Sequence, residues 1–350
     1  MNILLTGGTG YIGSHAAVVM AGAGHRVVLL DNLSNSKALV VDRLRTIIGD
    51  DVPLVRADVR DVAAVTETLR AYRVDAVMHF AGLKSVEESF ARPAEYFDNN
   101  LSGTIVLLRA MGAVGIKTLV FSSSATIYGV PKYLPIDEDH PLEPINPYGR
   151  SKLGVEHVLN AVATADPGWR IACLRYFNPA GAHASGLIGE DPGHVPNNLL
   201  PYIVAVGAGE RPALQVFGDD YDTPDGTGVR DFIHVMDLAE GHAAALEFLR
   251  GRPGCHTFNL GTGAGHSVME MIRAFESASG RHVPISMQGR RAGDVPSCYA
   301  DAGKALRELG WRTNRSLGDI VDSAWRFSRR VGRPDGNLSS TSEITGPNEH

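Results

Sequence analysis

Tyr148 and Lys152 are the residues in this chain best suited to acid–base chemistry. Asn146 is a favourable helix N-cap and Pro147 fits the first turn, so a helix is expected to begin here. Residues four apart on a helix share a face, which brings the phenol close to the ammonium. A neighbouring cation stabilises phenolate, so we expect Lys152 to lower the pKa of Tyr148. The same spacing also occurs in surface pairs that have no chemical role, so the rest of the sequence must distinguish a catalytic pair from a surface pair.

Alternating apolar strands and helices in the first half of the chain form the scaffold for this pair. Strands are predicted at residues 3–5, 26–31, 54–59, 74–80 and 118–121, with helices at 12–21 and 93–112. Fully apolar strands separated by helices are typical of a parallel sheet covered on both faces. The sequence therefore predicts an α/β protein with a Rossmann-type doubly wound parallel sheet and a smaller mixed α/β substrate-binding lobe.

The glycine-rich segment at residues 6–14 indicates a dinucleotide site. Gly7, Gly10 and Gly13 allow a tight turn and a close approach to a pyrophosphate, and the helix that follows offers its positive end. Asp31 ends the next strand, where a carboxylate accepts hydrogen bonds from ribose hydroxyls and repels a 2′-phosphate. This pattern favours NAD over NADP, although Asp31 could instead cap a loop.

Further polar residues follow the ends of the other predicted strands. Asp58 could accept a hydrogen bond from the adenine amino group, and Lys84 lies just past the strand at 74–80. Ser124 follows the strand at 118–121, either as a reactive hydroxyl or as part of a serine-rich turn. Because the carboxyl ends of parallel strands meet at one edge, these side chains are expected to share a crevice with Tyr148 and Lys152.

Composition excludes several classes of protein. The net charge of −6 argues against a general nucleic-acid or membrane surface. The three cysteines are far apart, so neither a disulfide framework nor a metal site is expected. The first residues lack a basic segment followed by a long apolar one, and no run of about 18 apolar residues occurs. We therefore expect a reduced, cytoplasmic protein.

These motifs together resemble the extended short-chain dehydrogenase/reductase family. The resemblance is carried by residues 6–13, Asp31 and Asn32, Ser124, and the Tyr148/Lys152 pair. Longer runs resemble the UDP-glucose (UDP-galactose) 4-epimerase branch of that family over about residues 1–330. They lie at residues 31–36, 79–84, 122–126, 174–179, 196–199 and 225–235.

The resemblance implies a tightly held NAD and a base that acts on a sugar. Tyr148 would remove the proton of the sugar 4-hydroxyl group, and Ser124 would hydrogen-bond that oxygen. Hydride would pass to the cofactor and return to the other face of the 4-keto sugar after it rotates. The residues implied to contact NAD are Gly7, Gly10, Tyr11, Ile12, Gly13, Asp31, Asn32, Asn35, Ser36, Asp58, Val59, Phe80, Ala81, Gly82, Lys84, Asn99, Tyr148, Lys152 and Tyr176.

The regular alternation stops near residue 180, where Gly- and Pro-rich segments begin. We therefore expect an NAD-binding domain at residues 1–180, with residues 232–262 packing back on it. A UDP-sugar-binding lobe is expected at 181–331, and a disordered tail at 332–350. Arg230 and Arg291 are predicted to grip the diphosphate bidentately. The other predicted substrate contacts are Lys84, Ser124, Phe177, Asn178, Asn198, Leu199, Gln215, Phe217, Asp294 and Cys298.

Cys298 bears on the choice of sugar. The resemblance implies that this position lines the sugar pocket near C2 and is bulky in some members. A cysteine leaves room for a 2-acetamido group, so N-acetylated UDP-hexosamines are expected as further substrates. The alternative is that Cys298 fills a pocket whose neighbours close in.

Three other functions are compatible with parts of the pattern. Another UDP-sugar 4-epimerase, acting on a UDP-pentose or UDP-uronate, would use the same motifs. A sugar-nucleotide dehydratase needs an acidic pair after the active-site hydroxyl, where this chain has Ala125 and Thr126. A non-catalytic dinucleotide sensor would not need Ser124, Tyr148 and Lys152. The resemblance also implies a homodimer, built as a four-helix bundle from the helix at 93–112 and the Tyr148 helix.

Overall fold

The computed structural model of the chain describes residues 1–191, 198–291 and 293–331. The predicted tail at 332–350 lies outside the described residues, as do Pro196 and Asn197 of the run at 196–199.

Strands and helices alternate as expected from the sequence. The strands are β1 (Asn2–Thr6), β2 (Arg26–Asp31), β3 (Leu54–Arg56), β4 (Ala76–His79), β5 (Thr118–Ser124), β6 (Arg170–Tyr176), β7 (Asn178–Ala180), β8 (Leu214–Phe217), β9 (Val229–Arg230), β10 (Phe232–His234), β11 (Gly254–Leu260), β12 (His266–Ser267), β13 (Ile285–Gln288) and β14 (Ser297–Cys298). The α-helices are α1 (Tyr11–Gly22), α2 (Leu39–Ile48), α3 (Val62–Ala71), α4 (Val86–Ala91), α5 (Pro93–Phe97), α6 (Gly103–Val114), α7 (Pro147–Ala165), α8 (Leu199–Gly207), α9 (Val235–Phe248), α10 (Val268–Ser279), α11 (Gly303–Leu309) and α12 (Leu317–Val331).

Seven parallel strands form the main sheet, in the order β11-β6-β5-β4-β1-β2-β3. The chain moves outward from β1 to β3 and then returns to β4 on the other side of β1. This reversal leaves a crevice at the carboxyl ends of β1 and β4, where ligands bind in such sheets. The expected Rossmann-type doubly wound sheet is confirmed.

Apolar layers cover both faces of this sheet. On one face, Leu5 and Leu29 pack with Met20 of α1 and Leu238 of α9. The other face carries a second layer, in which residues of β1, β2, β4, β5 and β6 pack against α3, α6 and α7. Burial on both sides explains why the strands are apolar at almost every position.

Several predicted elements have different bounds in the structure, and two of these differences have a local cause. The strand predicted at 54–59 ends at Arg56, because the Asp58 carboxylate accepts the backbone N–H of Arg60 at 2.9 Å and turns the chain. The helix predicted at 93–112 is divided into α5 and α6 by a π-helical turn at Asp98–Ser102. π-Helical turns are rare in proteins, and those that do occur are frequently found at functional sites.

The second lobe has its own small sheets and core. β8 pairs with β13, and β9 lies between β12 and β14. Helices α8, α10 and α12 pack around Ile203, Met271, Phe275 and Ile320. The parallel pair β7–β10 lies where the chain leaves and re-enters the larger sheet. In the part of the chain that the structure describes, no helix has the length and hydropathy needed to cross a membrane.

Candidate active site

The loop between β1 and α1, together with the first turn of α1, needs glycine at Gly7 and Gly13. Gly7 has a φ of +67°, and a Cβ there would lie 2.6 Å from the backbone nitrogen of Ala81. A Cβ on Gly13 would lie 2.3 Å from the Gly7 carbonyl oxygen. The N-cap of α1, Gly10, offers no side chain to the first N–H groups of the helix. The loop thus leaves the positive end of α1 open to an anion.

Asp31 lies at the carboxyl end of β2, beside this loop. Its buried carboxylate accepts the backbone N–H groups of Thr9 at 3.1 Å and Leu33 at 2.9 Å. Ser36 donates to it at 3.2 Å. These bonds fix the direction of the carboxylate at the open end of the glycine loop.

Asp58 follows β3 at the same edge and is held by an arginine. Arg60 donates to both Asp58 oxygens at 2.9 Å, and Asn32 donates at 3.0 Å. The guanidinium of Arg60 holds the pKa of Asp58 well below its usual range. Asp58 therefore presents a permanently charged acceptor near Asn32 and Asp31.

The Tyr148 helix begins as predicted. Asn146 caps α7 by accepting the backbone N–H of Gly149 at 2.7 Å, and Pro147 occupies the first turn. Lys152 is buried and donates to the carbonyl oxygen of Ser122 in β5 at 2.8 Å. Its Nζ lies 5.9 Å from the centre of the Tyr148 ring. The helix therefore places both side chains at the carboxyl end of β5.

The protonation of this pair differs from the sequence-based expectation. Burial lowers the pKa of Lys152 to about 8. Burial raises the pKa of Tyr148, against an opposing hydrogen bond with Ser124. The expected lowering of the Tyr148 pKa by Lys152 is thus not produced by the protein groups alone, because the ammonium is directed at the Ser122 carbonyl and dehydration dominates.

Residues at the end of β6 enclose the other side of this crevice. His242 Nδ1 contacts the Leu238 carbonyl oxygen at 2.8 Å, and burial lowers the pKa of His242 to about 4. The neutral ring donates through Nδ1, so Nε2 accepts the hydroxyl of Tyr176. Phe177 is buried beside Cys298. The backbone of Asn178 donates to the Asp231 carbonyl oxygen at 2.9 Å, and its side chain is exposed.

Four of the predicted substrate residues lie together in the second lobe. Arg291 forms an ion pair with Asp294 at 3.2 Å, and its guanidinium lies 5.4 Å from the centre of the Phe217 ring. Arg230 lies 4.0 Å from Asp294 and is held by the carbonyl oxygen of Val295 at 2.8 Å. Two cations and an aromatic ring in this arrangement suit a nucleotide that carries phosphates.

The remaining predicted residues are divided between the larger sheet and the second lobe. Lys84 and Asn198 both contact Glu190, at 2.7 and 2.5 Å. Gln215 and Asn35 have exposed side chains, and Asn99 lies in the π-helical turn. Tyr11 and Ile12 begin α1, and Val59 lies shortly after β3. Phe80, Ala81 and Gly82 follow β4, and Leu199 begins α8.

Residues 3–261 match the NAD dependent epimerase/dehydratase family. The chain belongs to this family. It is 53% identical over 327 residues to the UDP-glucose 4-epimerase of Bacillus subtilis (strain 168), covering 93% of this chain and 96% of that protein. The resemblance to the UDP-glucose 4-epimerase branch is confirmed.

Solved structures of epimerases share the fold. UDP-glucose-4-epimerase from Stenotrophomonas maltophila, with bound NAD and formylated UDP-arabinopyranose, has a TM-score of 0.93 at 51% identity and covers 95% of this chain and 99% of the other. The enzyme from Bifidobacterium longum, in complex with NAD+ and UDP, has a TM-score of 0.92 at 48% identity, with 94% and 98% covered.

The site has the features that an NAD-dependent epimerase requires. The glycine loop has room only for backbone, which lets a pyrophosphate approach the open end of α1. Asp31 supplies a carboxylate where the adenosine ribose would lie, and it disfavours a 2′-phosphate. These observations fit NAD.

Two residues of the epimerase site were not found from the sequence. Arg60 holds Asp58, and the motif "Asp-x-Arg" at residues 58–60 could have indicated it. Asn100 is buried, where the sequence had pointed to its neighbour Asn99. Its amide accepts the backbone N–H of Leu83 at 2.8 Å and donates to Ser151 of α7 at 3.0 Å. Asn100 thus fixes the loop after β4 to the Tyr148 helix.

Proposed function

We propose that this protein is an NAD-dependent epimerase that interconverts UDP-glucose and UDP-galactose at C4 of the sugar. The observation that carries the proposal is the grouping of Ser124, Tyr148 and Lys152 at the carboxyl end of β5, beside a dinucleotide crevice. Family membership and the identity to UDP-glucose 4-epimerases support it.

NAD would be held by the glycine loop, Asp31, Asp58 and Lys152. When bound, it would supply the acceptor and donor for the hydrogen at C4. The raised pKa of Tyr148 in the protein alone means that a further positive charge must favour the phenolate. Lys152 contributes one such charge below a pH of about 8.

Tyr148 acts as the base in this proposal. Its phenolate would take the proton of the sugar 4-hydroxyl group, and later return it. The Ser124 hydroxyl, which already interacts with Tyr148, would hold the sugar oxygen in line.

The second lobe anchors the substrate by the part that does not react. Arg230 and Arg291 would bind the diphosphate, Phe217 would stack on uracil, and Asp294 would accept from the uridine ribose. An anchor on the nucleotide lets the sugar rotate about its bonds to the diphosphate. One base could then serve both faces of the same carbon.

The proposal is tested by mixing purified protein with UDP-galactose and measuring UDP-glucose, with bound NAD followed by its absorbance. Wild-type protein is expected to form UDP-glucose, with transient reduction of the cofactor. Tyr148→Phe should reduce kcat by about 10²–10⁴-fold, since the ring stays and only the base is lost. A Tyr148→Phe protein with normal kcat would refute the assigned base.

We also propose that N-acetylated UDP-hexosamines are substrates, because of Cys298. Cys298 packs against the apolar cluster that contains Ala125 and Phe177, which are the chain neighbours of Ser124 and Asn178. The Tyr299 ring lies against Gly265, where a Cβ would be 3.1 Å from it. UDP-N-acetylglucosamine should react with wild-type protein and lose at least tenfold in kcat/KM with Cys298→Tyr. Equal rates in the two proteins would show that Cys298 merely fills space.

A UDP-pentose is the second candidate substrate. It is favoured by the Stenotrophomonas relative, whose structure contains formylated UDP-arabinopyranose. A panel of UDP-hexoses, UDP-pentoses and UDP-uronates, compared by kcat/KM, separates these activities.

We propose the expected division into an NAD-binding domain at 1–180, joined by 232–262, and a UDP-sugar lobe at 181–331. The pairing of β11 with β6 and the packing of α9 against α1 support the return of 232–262 to the first domain. The separate core around Ile203 and Phe275 supports the second lobe.

A homodimer built on the α5–α6 and α7 helices is also proposed. Phe90 of α4, a helix that packs against α7, and Ile105 of α6 are exposed although both are large and apolar. Leu101 is half-buried next to Gly154 of α7, so the two helices already pack closely. A second copy would cover this apolar surface. Light scattering should give a dimer for wild-type protein and a monomer for Phe90→Glu/Ile105→Glu; a dimer in both would reject this interface.

A cytoplasmic location is proposed from the thiols. The three cysteines are odd in number and far apart in the sequence, so they do not form the disulfide framework typical of an oxidising compartment.

A further inference from the structure

Glu190 connects the two halves of the site through a single oxygen atom. Its Oε1 accepts from Nζ of Lys84 at 2.7 Å and from Nδ2 of Asn198 at 2.5 Å. The Glu190 side chain is 10% exposed, whereas the Lys84 side chain is 51% exposed and Asn198 is also exposed. The carboxylate is therefore held in place by the fold, and both donors remain open to a ligand. Hydrogen bonds to a charged acceptor are stronger than those between neutral groups.

The two donors come from different parts of the fold. Lys84 follows β4 at the crevice edge of the larger sheet, and Asn198 precedes α8 in the second lobe. The resemblance implies that Lys84 contacts both NAD and the UDP-sugar and that Asn198 contacts the UDP-sugar. Glu190 therefore touches one residue expected to bind the cofactor and one expected to bind only the substrate.

The Asn198 side chain does not cap the helix that it precedes. An asparagine at the N-cap usually accepts an N–H of its own first turn. Asn198 is the N-cap of α8 but makes no such bond, and its amide donates to Glu190 instead. The Asn198 side chain thus does not cap the first N–H groups of α8, at the end of the helix that attracts anions.

Glu190 also acts on the cofactor loop. Burial and the negative charge of Glu190 raise the pKa of Tyr11, whose hydroxyl donates to the Gly181 carbonyl oxygen at 2.7 Å. Tyr11 opens α1, directly after the glycine loop. The charge of Glu190 therefore acts on Tyr11, at the start of the helix on which the dinucleotide would rest.

We propose that Glu190 is a positioning residue that couples NAD binding to UDP-sugar binding by orienting Lys84 and Asn198 together. This inference rests on the proposed function and deepens it. The ammonium of Lys84 has three donors and the amide of Asn198 has two, so each keeps a donor for its own ligand after bonding Glu190. A ligand that fixes either donor also fixes the shared carboxylate, and so prepares the other donor.

The negative charge of Glu190 would by itself repel the diphosphate groups of NAD and of the UDP-sugar. Repulsion and orientation of the donors therefore predict opposite effects when Glu190 is removed. If Glu190 only repelled the ligands, its removal would tighten their binding. If it orients the donors, its removal weakens binding and uncouples the two ligands. Glu190→Gln keeps an acceptor oxygen without the charge, and Glu190→Ala removes both.

The experiment uses holoenzyme of wild type, Glu190→Ala, Glu190→Gln and a matched control, Asp191→Asn. Asp191 is the next residue and pairs with Lys37 at 2.8 Å on the surface, so the control removes a neighbouring charge outside the shared contact. UDP affinity is measured by titration, KM and kcat with UDP-galactose, and NAD release by gel filtration with and without UDP.

In Glu190→Ala, the Kd for UDP and the KM are expected to rise about tenfold, with kcat within about threefold of wild type. Glu190→Gln should recover most of this loss, and Asp191→Asn should match wild type. UDP should slow NAD release in wild type, and much less in Glu190→Ala.

Three results would overturn the inference. They are unchanged or tighter UDP binding in Glu190→Ala, equal losses in the Gln and Ala variants, or no effect of UDP on NAD release from wild type. Failure of wild-type protein to epimerise would instead reject the proposed function, since the UDP titration and NAD release do not depend on turnover.

Discussion

Replacing Glu156 by Gln tests how strongly the Tyr148 helix is fixed to the sheet. Glu156 lies one turn after Lys152 in α7. Its carboxylate accepts from Arg175 of β6 at 2.7 and 3.1 Å, and from Ser123 of β5 at 2.5 Å. The Glu156 and Arg175 side chains are 3% and 6% exposed. This buried ion pair thus connects α7 to β6 and, through Ser123, to β5 next to Ser124.

The magnitude follows from what the substitution leaves behind. Without the carboxylate, the Arg175 guanidinium stays buried with only Tyr128 and a backbone carbonyl as partners. Breaking one side of a buried pair costs about 3–5 kcal/mol. Gln still offers one acceptor oxygen, so we expect Glu156→Gln to lower the free energy of unfolding by about 3 kcal/mol.

A matched control comes from an exposed pair in the same chain. Asp51 pairs with Arg45 at 2.9 Å, with side chains 70% and 46% exposed. Asp51→Asn should change the free energy of unfolding by less than about 1 kcal/mol. Removing both buried charges, in Glu156→Leu/Arg175→Met, should recover much of the loss because no unpaired ion remains.

Urea unfolding followed by circular dichroism, with saturating NAD in every sample, measures these differences. The reasoning fails if Glu156→Gln and Asp51→Asn are equally mild. It also fails if the double variant is less stable than Glu156→Gln, since the cost would then not arise from the unpaired guanidinium.

Three further outcomes are expected. Gly13→Ala should lose bound NAD, because its Cβ would lie 2.3 Å from the Gly7 carbonyl oxygen; absorbance of the purified protein checks this, and full cofactor content would contradict it. Lys152→Met should be inactive yet more stable at pH 7. The pKa of Lys152 is about 8 in the folded protein, so the full cost of burying its charge applies below pH 8 and disappears as the pH rises towards 10.5. The difference in unfolding free energy between Lys152→Met and wild type should therefore shrink by about 2–3 kcal/mol between pH 7 and 10 in urea titrations. A constant difference would refute the burial argument. Ser267→Ala should lower stability by about 1 kcal/mol, since Ser267 caps α10 and bonds Glu270 in both directions; a neutral effect in the same titration would mean that the cap is unimportant.

The sequence was most informative where chemistry follows from local spacing. Asn146 and Pro147 predicted the start of α7, and the apolar segments predicted most strands of the parallel sheet. The placing of Asp31 and Ser124 at the carboxyl edge followed from the rule that parallel strands end together. These features depend on residues close in the chain.

Contacts between distant residues were beyond such reasoning. Lys84 and Glu190 are 106 positions apart, and nothing in either segment indicates the other. Asn100 was missed because a π-helical turn changes which of two adjacent asparagines faces inward. The raised pKa of Tyr148 depends on burial by the folded protein, whereas the sequence showed only the nearby lysine.

The place of β11 at the edge of the main sheet has a consequence for synthesis of the chain. Its partner β6 is finished at Tyr176, but β11 spans Gly254–Leu260, after the first part of the second lobe at residues 181–231. A ribosome-bound chain that ends before Gly254 leaves the β6 edge unpaired, with backbone groups free to join strands of other chains. The nucleotide-binding sheet therefore cannot be completed until residues 181–231 of the second lobe have been translated, and premature termination within that segment should give an aggregation-prone product.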